Sequence, residues 1–231
     1  MRLASFEATG GGTAIGVVSA DGRELVDLQG THRALQGRAA SELDSMQALI
    51  EAGSEGLALA AALAEASPHG STLGLDGVRL LAPLPRPPQI RDFLCFEDHL
   101  RNSFAQAEKL TGERREIPPV WFEQPIYYKA NRFSVIGPDA NVTWPAYSMV
   151  MDYELELACV IGRAGRDIAP EDAASHVFGY TIFNDASARD AQMREMAGQL
   201  GPAKQLPERW SPTQIHSVTT RWCMPMLRDA S

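Results

Sequence analysis

Polar and apolar residues alternate along residues 151–162. Strict alternation predicts a half-buried β-strand. Because every second side chain of a strand points to the same face, Glu154 and Glu156 lie side by side, with Asp152 next in line. Like charges this close repel, so the strand loses stability unless a cation neutralises the carboxylates. A hard divalent ion with oxygen ligands, Mg²⁺ or Ca²⁺, is the natural neutraliser.

The rest of the chain predicts a mixture of strands and helices. Further strands are predicted at 13–18, 24–28, 125–136 and 177–184, and helices at 40–66, 98–111 and 171–176. The segment 81–88 is dense in proline, which is typical of an extended linker. We therefore place a domain boundary there. It separates an N-terminal domain (1–82) from a second domain (83–204) and a C-terminal tail (205–231).

Composition and charge narrow the class of protein. The 231 residues are 45% hydrophobic and 22% charged, as in ordinary globular domains. The net charge of -8 argues against binding to nucleic acid or to an anionic membrane surface. The N-terminus has no signal-peptide pattern, and no apolar run approaches the ~20 residues of a membrane span. The three cysteines show no paired spacing, so we expect reduced thiols and a cytoplasmic location.

Two motifs carry a family resemblance. The stretch MDYELELACVIGR at 151–163 is followed by FGYTIFNDASARD at 178–190. In this order and spacing they resemble the fumarylacetoacetate hydrolase family, over about residues 83–204. The resemblance implies an α+β, mostly β fold: a rolled mixed β-sheet, here incomplete at its C-terminal part, behind a small N-terminal α/β domain.

The resemblance also implies a set of site residues. It places the ligands of a divalent metal ion at Asp92, Glu154, Glu156 and Asp185. Mg²⁺ is the first candidate, with Mn²⁺ or Ca²⁺ as alternatives. His99 takes the position of the general base, and the substrate-contacting positions fall on Lys129, Arg189 and Gln192.

Each of these residues also has a plainer interpretation. Asp185 follows an apolar strand and would cap a helix beginning near Ser187. His99 would be a surface or capping histidine, and Lys129 a solvated lysine at a strand end. Arg189 would form an ion pair with Asp190 or Glu195, the commoner role of an arginine.

The implied reaction is metal-dependent hydrolysis of a C–C bond in an acylpyruvate or β-diketo acid, as in aromatic catabolism. A metal ion can polarise the carbonyl oxygens, and a histidine can take a proton from water. Cationic side chains can hold the substrate carboxylate and stabilise the oxyanion. The alternatives are isomerisation or decarboxylation of a 2-hydroxy-diene-dioate, against which Asn102 weighs, or a remnant that binds metal or a partner without turnover.

The end of the chain departs from the family pattern. Leu206 stands where the resemblance implies a catalytic lysine, and Lys204 lies two positions too early, ~7 Å away along a strand. We hypothesise a truncation or a shift of reading frame near Lys204. Missing C-terminal strands would leave open sheet edges and an exposed apolar face. We expect a keto-acid substrate and a homodimer.

Overall fold

The structure is a computed structural model that describes residues 1–67 and 71–198, together with the backbone of two short strands, 214–217 and 224–225. Helices and antiparallel strands are mixed, in agreement with the predicted α+β class. Within these described ranges, no helix combines the length and the hydropathy that crossing a bilayer requires.

The N-terminal region is a four-stranded antiparallel sheet covered by helices. Its strands, in spatial order, are β1 (Arg2–Glu7), β2 (Thr13–Val18), β3 (Glu24–Asp27) and β4 (Thr72–Gly74). Between β3 and β4 lie α1 (Leu28–Gln36), α2 (Met46–Glu51) and α3 (Gly53–Ala66). Asp27 caps α1 by accepting a hydrogen bond from the Gly30 N–H at 3.0 Å, and Ser45 caps α2 in the same way. The predicted helical region 40–66 is therefore two helices, preceded by the 3₁₀ helix Ser41–Leu43.

The proline-rich segment is packed against this sheet. The Leu81 N–H donates to the Ser5 carbonyl at 2.9 Å, and the Ser5 hydroxyl donates to the Pro83 carbonyl at 2.7 Å. Ala82 is buried. The boundary at 82/83 stays a prediction, but the segment itself has fixed partners along β1.

The second region begins with a two-stranded antiparallel pair. Strand β5 (Arg91–Phe93) pairs with β6 (Tyr127–Lys129), and α4 (Glu97–Thr111) and α5 (Val120–Glu123) lie between them in the chain. Residues 125–136 were predicted as one strand, and that prediction was wrong. Asn131 caps the 3₁₀ helix Arg132–Ser134 and ends the strand early.

The largest sheet carries the alternating stretch. Strand β7 (Met151–Ile161) pairs along its whole length with β8 (Val177–Ala188). Strands β9 (Gln214–Ser217) and β10 (Met224–Pro225) pair with β8 on its other side, and α6 (Arg189–Met196) follows β8 directly. The 3₁₀ helix Pro170–His176 takes the place of the predicted helix at 171–176. Phe178 of β8 packs into the core under the N-terminal helices.

The two faces of β7 are unequally covered. Glu154, Glu156 and Ala158 are half-buried, whereas Leu155 and Leu157 on the opposite face are 73% and 67% exposed. The acidic face of this strand is therefore its covered face. This is the reverse of what alternation produces in an ordinary surface strand, where the apolar side is buried.

Candidate metal centre

Three carboxylates from three strands converge on one point. One oxygen each of Asp92 on β5, Glu156 on β7 and Asp185 on β8 lies within 4.8 Å of the other two. Glu156 and Asp185 approach because β7 and β8 are paired in register, with Glu154 opposite Asp185. Asp92 comes from a separate sheet, so a contact distant in sequence completes the cluster.

The electrostatics of the cluster favour a cation. Asp185 is only 1% exposed, and Asp92 and Glu156 are half-buried. Burial raises the pKa of Glu156 to about 8, and the negative charges of Asp92, Asp185 and Glu154 add to the effect. A donor set made only of carboxylate oxygens fits a hard divalent cation such as Mg²⁺, Mn²⁺ or Ca²⁺. Asp92, Glu156 and Asp185 are the residues that would hold it.

Glu154 lies beside the cluster and has different partners. Its carboxylate accepts a hydrogen bond from the Ser187 hydroxyl at 2.9 Å and forms an ion pair with Arg189 at 2.8 Å. The structure thus brings three of the four predicted ligands together and turns the fourth toward a cation of the protein itself. A metal role for Glu154 stays a prediction.

Arg189 connects the acidic residues of β7. It forms a second ion pair with Asp152 at 2.9 Å and donates a hydrogen bond to the Gln192 side chain at 3.2 Å. The plainer interpretation, that Arg189 forms ion pairs, is therefore correct. Its partners are Asp152 and Glu154, and the predicted partners were Asp190 or Glu195. Gln192 is held beside the same cluster of charges.

Asp185 is a strand residue and not a helix cap. Strand β8 continues to Ala188, and α6 begins at Arg189 without a side-chain cap. The capping alternative for Asp185 is wrong because pairing with β7 extends the strand past the point where the apolar run ends.

His99 and Lys129 lie outside the carboxylate cluster. His99 is exposed in the first turn of α4. Lys129 is exposed at the end of β6, directly across from Arg91. Side chains alternate along a strand, so Lys129 faces away from its neighbour Tyr128, which points into the cluster. The roles of His99 and Lys129 stay predictions. Lys204 and Leu206 lie outside the described residues.

Two further residues were not predicted: Tyr128 contacts the cluster, and Asp190 holds the residues just before β7. The Tyr128 hydroxyl donates a hydrogen bond to Asp185 Oδ2, and burial together with the charges of Asp185 and Asp92 raises the pKa of Tyr128. Asp190 accepts hydrogen bonds from the Ser148 hydroxyl at 2.6 Å and from the Met149 N–H at 2.8 Å, which lower its pKa. No sequence signal singled out Tyr128, because strand β6 is three residues long and shows no period.

Comparisons with known proteins place this arrangement in a family. The sequence profile described as "Fumarylacetoacetate (FAA) hydrolase C-terminal" matches residues 89–211, which contain all three converging carboxylates. The fold and the acidic cluster thus define a class of α+β proteins with a candidate divalent-metal centre. The chain belongs to the fumarylacetoacetate hydrolase family, and the predicted family and fold class are confirmed.

Individual relatives carry several different names. The chain is 30% identical over 200 residues to "Oxaloacetate tautomerase fahd2, mitochondrial" of Xenopus laevis, covering 86% of this chain and 56% of the relative. It is 33% identical over 207 residues to "Oxaloacetate tautomerase YisK" of Bacillus subtilis, covering 85% of this chain and 64% of the relative. Among solved structures it resembles maleylpyruvate hydrolase from Sphingobium sp. SYK-6 in complex with manganese (II) ion and pyruvate. That match has a TM-score of 0.60 and 26% identity, and covers 97% of this chain and 67% of the other.

These matches cover only part of each relative. It spans 56% and 64% of the length of the two tautomerases. The activity and substrates of a whole protein of this family are therefore proposals for the chain.

Proposed function

We propose that this protein binds a divalent cation at Asp92, Glu156 and Asp185 and acts on a small 2-oxo acid, hydrolysing a C–C bond in an acylpyruvate or β-diketo acid. The convergence of the three carboxylates carries the proposal. Like charges this close, one of them almost fully buried, are an unfavourable arrangement that a cation compensates.

The chemistry assigns separate tasks to the residues around the cluster. When bound, the cation supplies Lewis-acid polarisation of the carbonyl oxygens of a chelating 2-oxo acid. Arg189 and Gln192, at the edge of the cluster, would orient the substrate carboxylate. Lys129, on the other face of β6, would join them only if its side chain reoriented toward the cluster. The two ion pairs of Arg189 hold its guanidinium in a fixed orientation at this edge.

His99 is the candidate general base for activating water, since an imidazole nitrogen can take a proton from water. Its place in the first turn of α4, outside the cluster, means that α4 must approach the carboxylates for this role. Catalytic contacts often tighten only when substrate is bound. The present position of His99 is therefore compatible with a role as general base.

Tautomerisation of a 2-oxo acid is a second candidate reaction, and the names of the two relatives at 30% and 33% identity favour it. A tautomerase moves a proton next to a polarised carbonyl and needs no attacking water. It would use the same carboxylates and would not require His99 to face a water molecule. The isomerase or decarboxylase alternative rests on the same cation site, and the remnant without turnover would bind the cation there or bind a partner.

The test combines binding and turnover on the 231-residue chain. Mg²⁺ and Mn²⁺ are titrated by calorimetry, and the loaded protein is assayed with maleylpyruvate for pyruvate release and with oxaloacetate for ketonisation. We expect Glu156→Gln and Asp185→Asn to abolish ion binding, whereas Glu171→Gln, a change at an exposed residue of the 3₁₀ helix Pro170–His176, should leave it intact.

The outcomes separate the alternatives. Pyruvate release supports hydrolysis, and ketonisation alone supports the tautomerase reaction. Ion binding without turnover of either substrate leaves the isomerase or decarboxylase alternative and the remnant, which an assay with a 2-hydroxy-diene-dioate then separates. Failure of the wild-type protein to bind either ion contradicts the proposed centre itself.

A further inference from the structure

Tyr128 contacts the acidic cluster from the side of the β5–β6 pair. It stands directly opposite Asp92 in the register of the two strands, and its hydroxyl donates a hydrogen bond to Asp185 Oδ2. Its ring is half-buried. One neutral side chain therefore lies against two of the three carboxylates that form the candidate metal centre.

The neighbouring tyrosine has none of these contacts with the cluster. Tyr127 lies on the opposite face of the same strand. Its ring centroid is 4.9 Å from the ring centroid of Phe93 and 5.0 Å from Cζ of Arg91. Two tyrosines adjacent in sequence thus have different surroundings. Of these two tyrosines, Tyr128 is the one that places a hydrogen-bond donor against the cluster.

Such a donor has a physical task in a site of this kind. Three carboxylates that repel one another rotate apart unless other groups hold them, and each rotation misplaces a ligand oxygen. Hydrogen bonds to carboxylate ligands fix their orientation, and loss of such a bond in metal sites commonly costs about tenfold to 100-fold in metal affinity. A hydroxyl provides that bond without adding charge.

We propose that Tyr128 is a positioning residue of the metal centre, which holds Asp185 and Asp92 in the orientation that binds the ion. The inference rests on the proposed metal centre and adds a residue to it. Tyr128 acts here through the two carboxylates and not through contact with substrate.

The test compares Tyr128→Phe with Tyr127→Phe, each of which removes one hydroxyl and keeps the ring. Binding of Mn²⁺ is measured by electron paramagnetic resonance, and folding is checked by thermal melting of the metal-free proteins. We expect the Mn²⁺ dissociation constant to rise about tenfold or more in Tyr128→Phe. In Tyr127→Phe it should stay near the wild-type value, with both variants folded.

A second measurement does not depend on the stability of the variant. In wild-type protein with isotope-labelled tyrosines, titration with Mg²⁺ should shift the Tyr128 ring resonance in step with ion occupancy, while the Tyr127 resonance stays in place. Because the chain has five tyrosines, Tyr127→Phe assigns the Tyr127 signal, and through-bond assignment along the backbone identifies the Tyr128 signal.

Several results would overturn the inference. A Tyr128→Phe protein that binds Mn²⁺ as tightly as wild type, or more tightly, removes the positioning role. Unchanged Mn²⁺ affinity with a raised KM would make Tyr128 a substrate contact. If wild-type protein binds neither ion, the proposed metal centre fails and this inference with it, whereas normal wild-type binding with an unaffected variant contradicts the inference alone.

Discussion

Glu156 gives the residue-scale prediction with the clearest sign. Its pKa is raised from 4.5 to about 8 in the folded protein, first by burial and then by the charges of Asp92, Asp185 and Glu154. Below pH 4.5 folded and unfolded protein both hold the proton, and between 4.5 and about 8 mainly the folded protein does. The metal-free protein should therefore lose stability as pH rises through this window, and a bound cation, which displaces the proton, should reverse the loss.

Thermal melting of metal-free protein across this pH window checks the expectation for Glu156. The melting midpoint should fall with rising pH in wild type and fall less in Glu156→Gln, whose side chain carries no charge. The apparent affinity for Mg²⁺ should rise over the same window, with a proton released per ion. An equal pH dependence of melting in the variant would contradict this account.

Arg189 is a second residue whose effect can be given a magnitude. It is the cation between Asp152 and Glu154, and its side chain is 33% exposed. Arg189→Met leaves the Asp152 and Glu154 carboxylates without their cationic partner. We expect a loss of about 1 kcal/mol in the free energy of unfolding. Arg189→Lys keeps the charge but not the two-pronged geometry, so its loss should be smaller.

Urea unfolding measures both Arg189 variants against a matched control. Arg101→Met breaks an ion pair with Glu97 one turn away on α4, where the arginine side chain is 63% exposed. That exposed pair should contribute only about 0.3–0.5 kcal/mol. A loss in Arg189→Met no larger than in Arg101→Met would show that the bridge does not stabilise β7.

At the scale of elements, helix α4 buries very little of its surface against the rest of the protein. Of its fifteen residues only Leu100 is buried, whereas α3 buries Gly56, Ala60 and Leu63. Few buried apolar contacts mean a low free energy of local opening. We expect the amides of α4 to exchange hydrogen at least about tenfold faster than those of α3.

Hydrogen exchange followed by mass spectrometry tests this difference, with peptides from α3 as the internal reference. The result bears on His99, since a helix that opens easily can bring its first turn toward the carboxylates. Equal protection of the two helices would mean that α4 opens no more easily than α3, which would remove this route for His99 to reach the carboxylates.

Periodicity predicted most of the long elements and missed several of the short ones. The strand at 151–162 and the helix at 98–111 agree with β7 and α4 to within a residue, since each repeats its period several times. The segment 125–136 holds a three-residue strand and a 3₁₀ helix, which have no period to detect. The end of β8 was missed because pairing with β7 carries the strand past its apolar run.

The same limit applies to the candidate site. Alternation placed Glu154 and Glu156 on one face, which was correct. It could not predict that Ser187 and Arg189 bind Glu154, or that the Asp92 carboxylate lies beside that of Glu156. These contacts join residues 30 or more positions apart. The family resemblance supplied Asp92 and Asp185, and only the folded chain shows Tyr128 between them.

At the scale of the whole molecule, one face of the largest sheet is apolar and exposed. It is formed by Tyr153 (71% exposed), Leu155 (73%), Leu157 (67%) and Ile161 (62%) of β7 and Ile182 (47%) of β8. An exposed apolar face was expected from the sequence. A continuous patch of this kind marks a surface that binds another protein surface or drives aggregation.

We expect the 231-residue chain to self-associate through this face, consistent with the predicted homodimer. The substitution pair Leu155→Thr and Leu157→Thr keeps the strand propensity of β7 and removes apolar surface. Sedimentation velocity over a range of concentrations should show weaker association in the double variant. Because both side chains are exposed, the free energy of unfolding of the monomer should change little, by about 0.5 kcal/mol or less per site.

A control from another surface makes the self-association test specific. Leu110 on α4 is 87% exposed and lies outside the sheet, so Leu110→Thr removes apolar surface elsewhere. It should leave association at the wild-type level. If Leu110→Thr weakens association as much as the double variant, the effect follows total apolar surface. Association that persists unchanged in the double variant would place the contact between copies on another part of the molecule, and the exposed side of β7 would then need a different explanation.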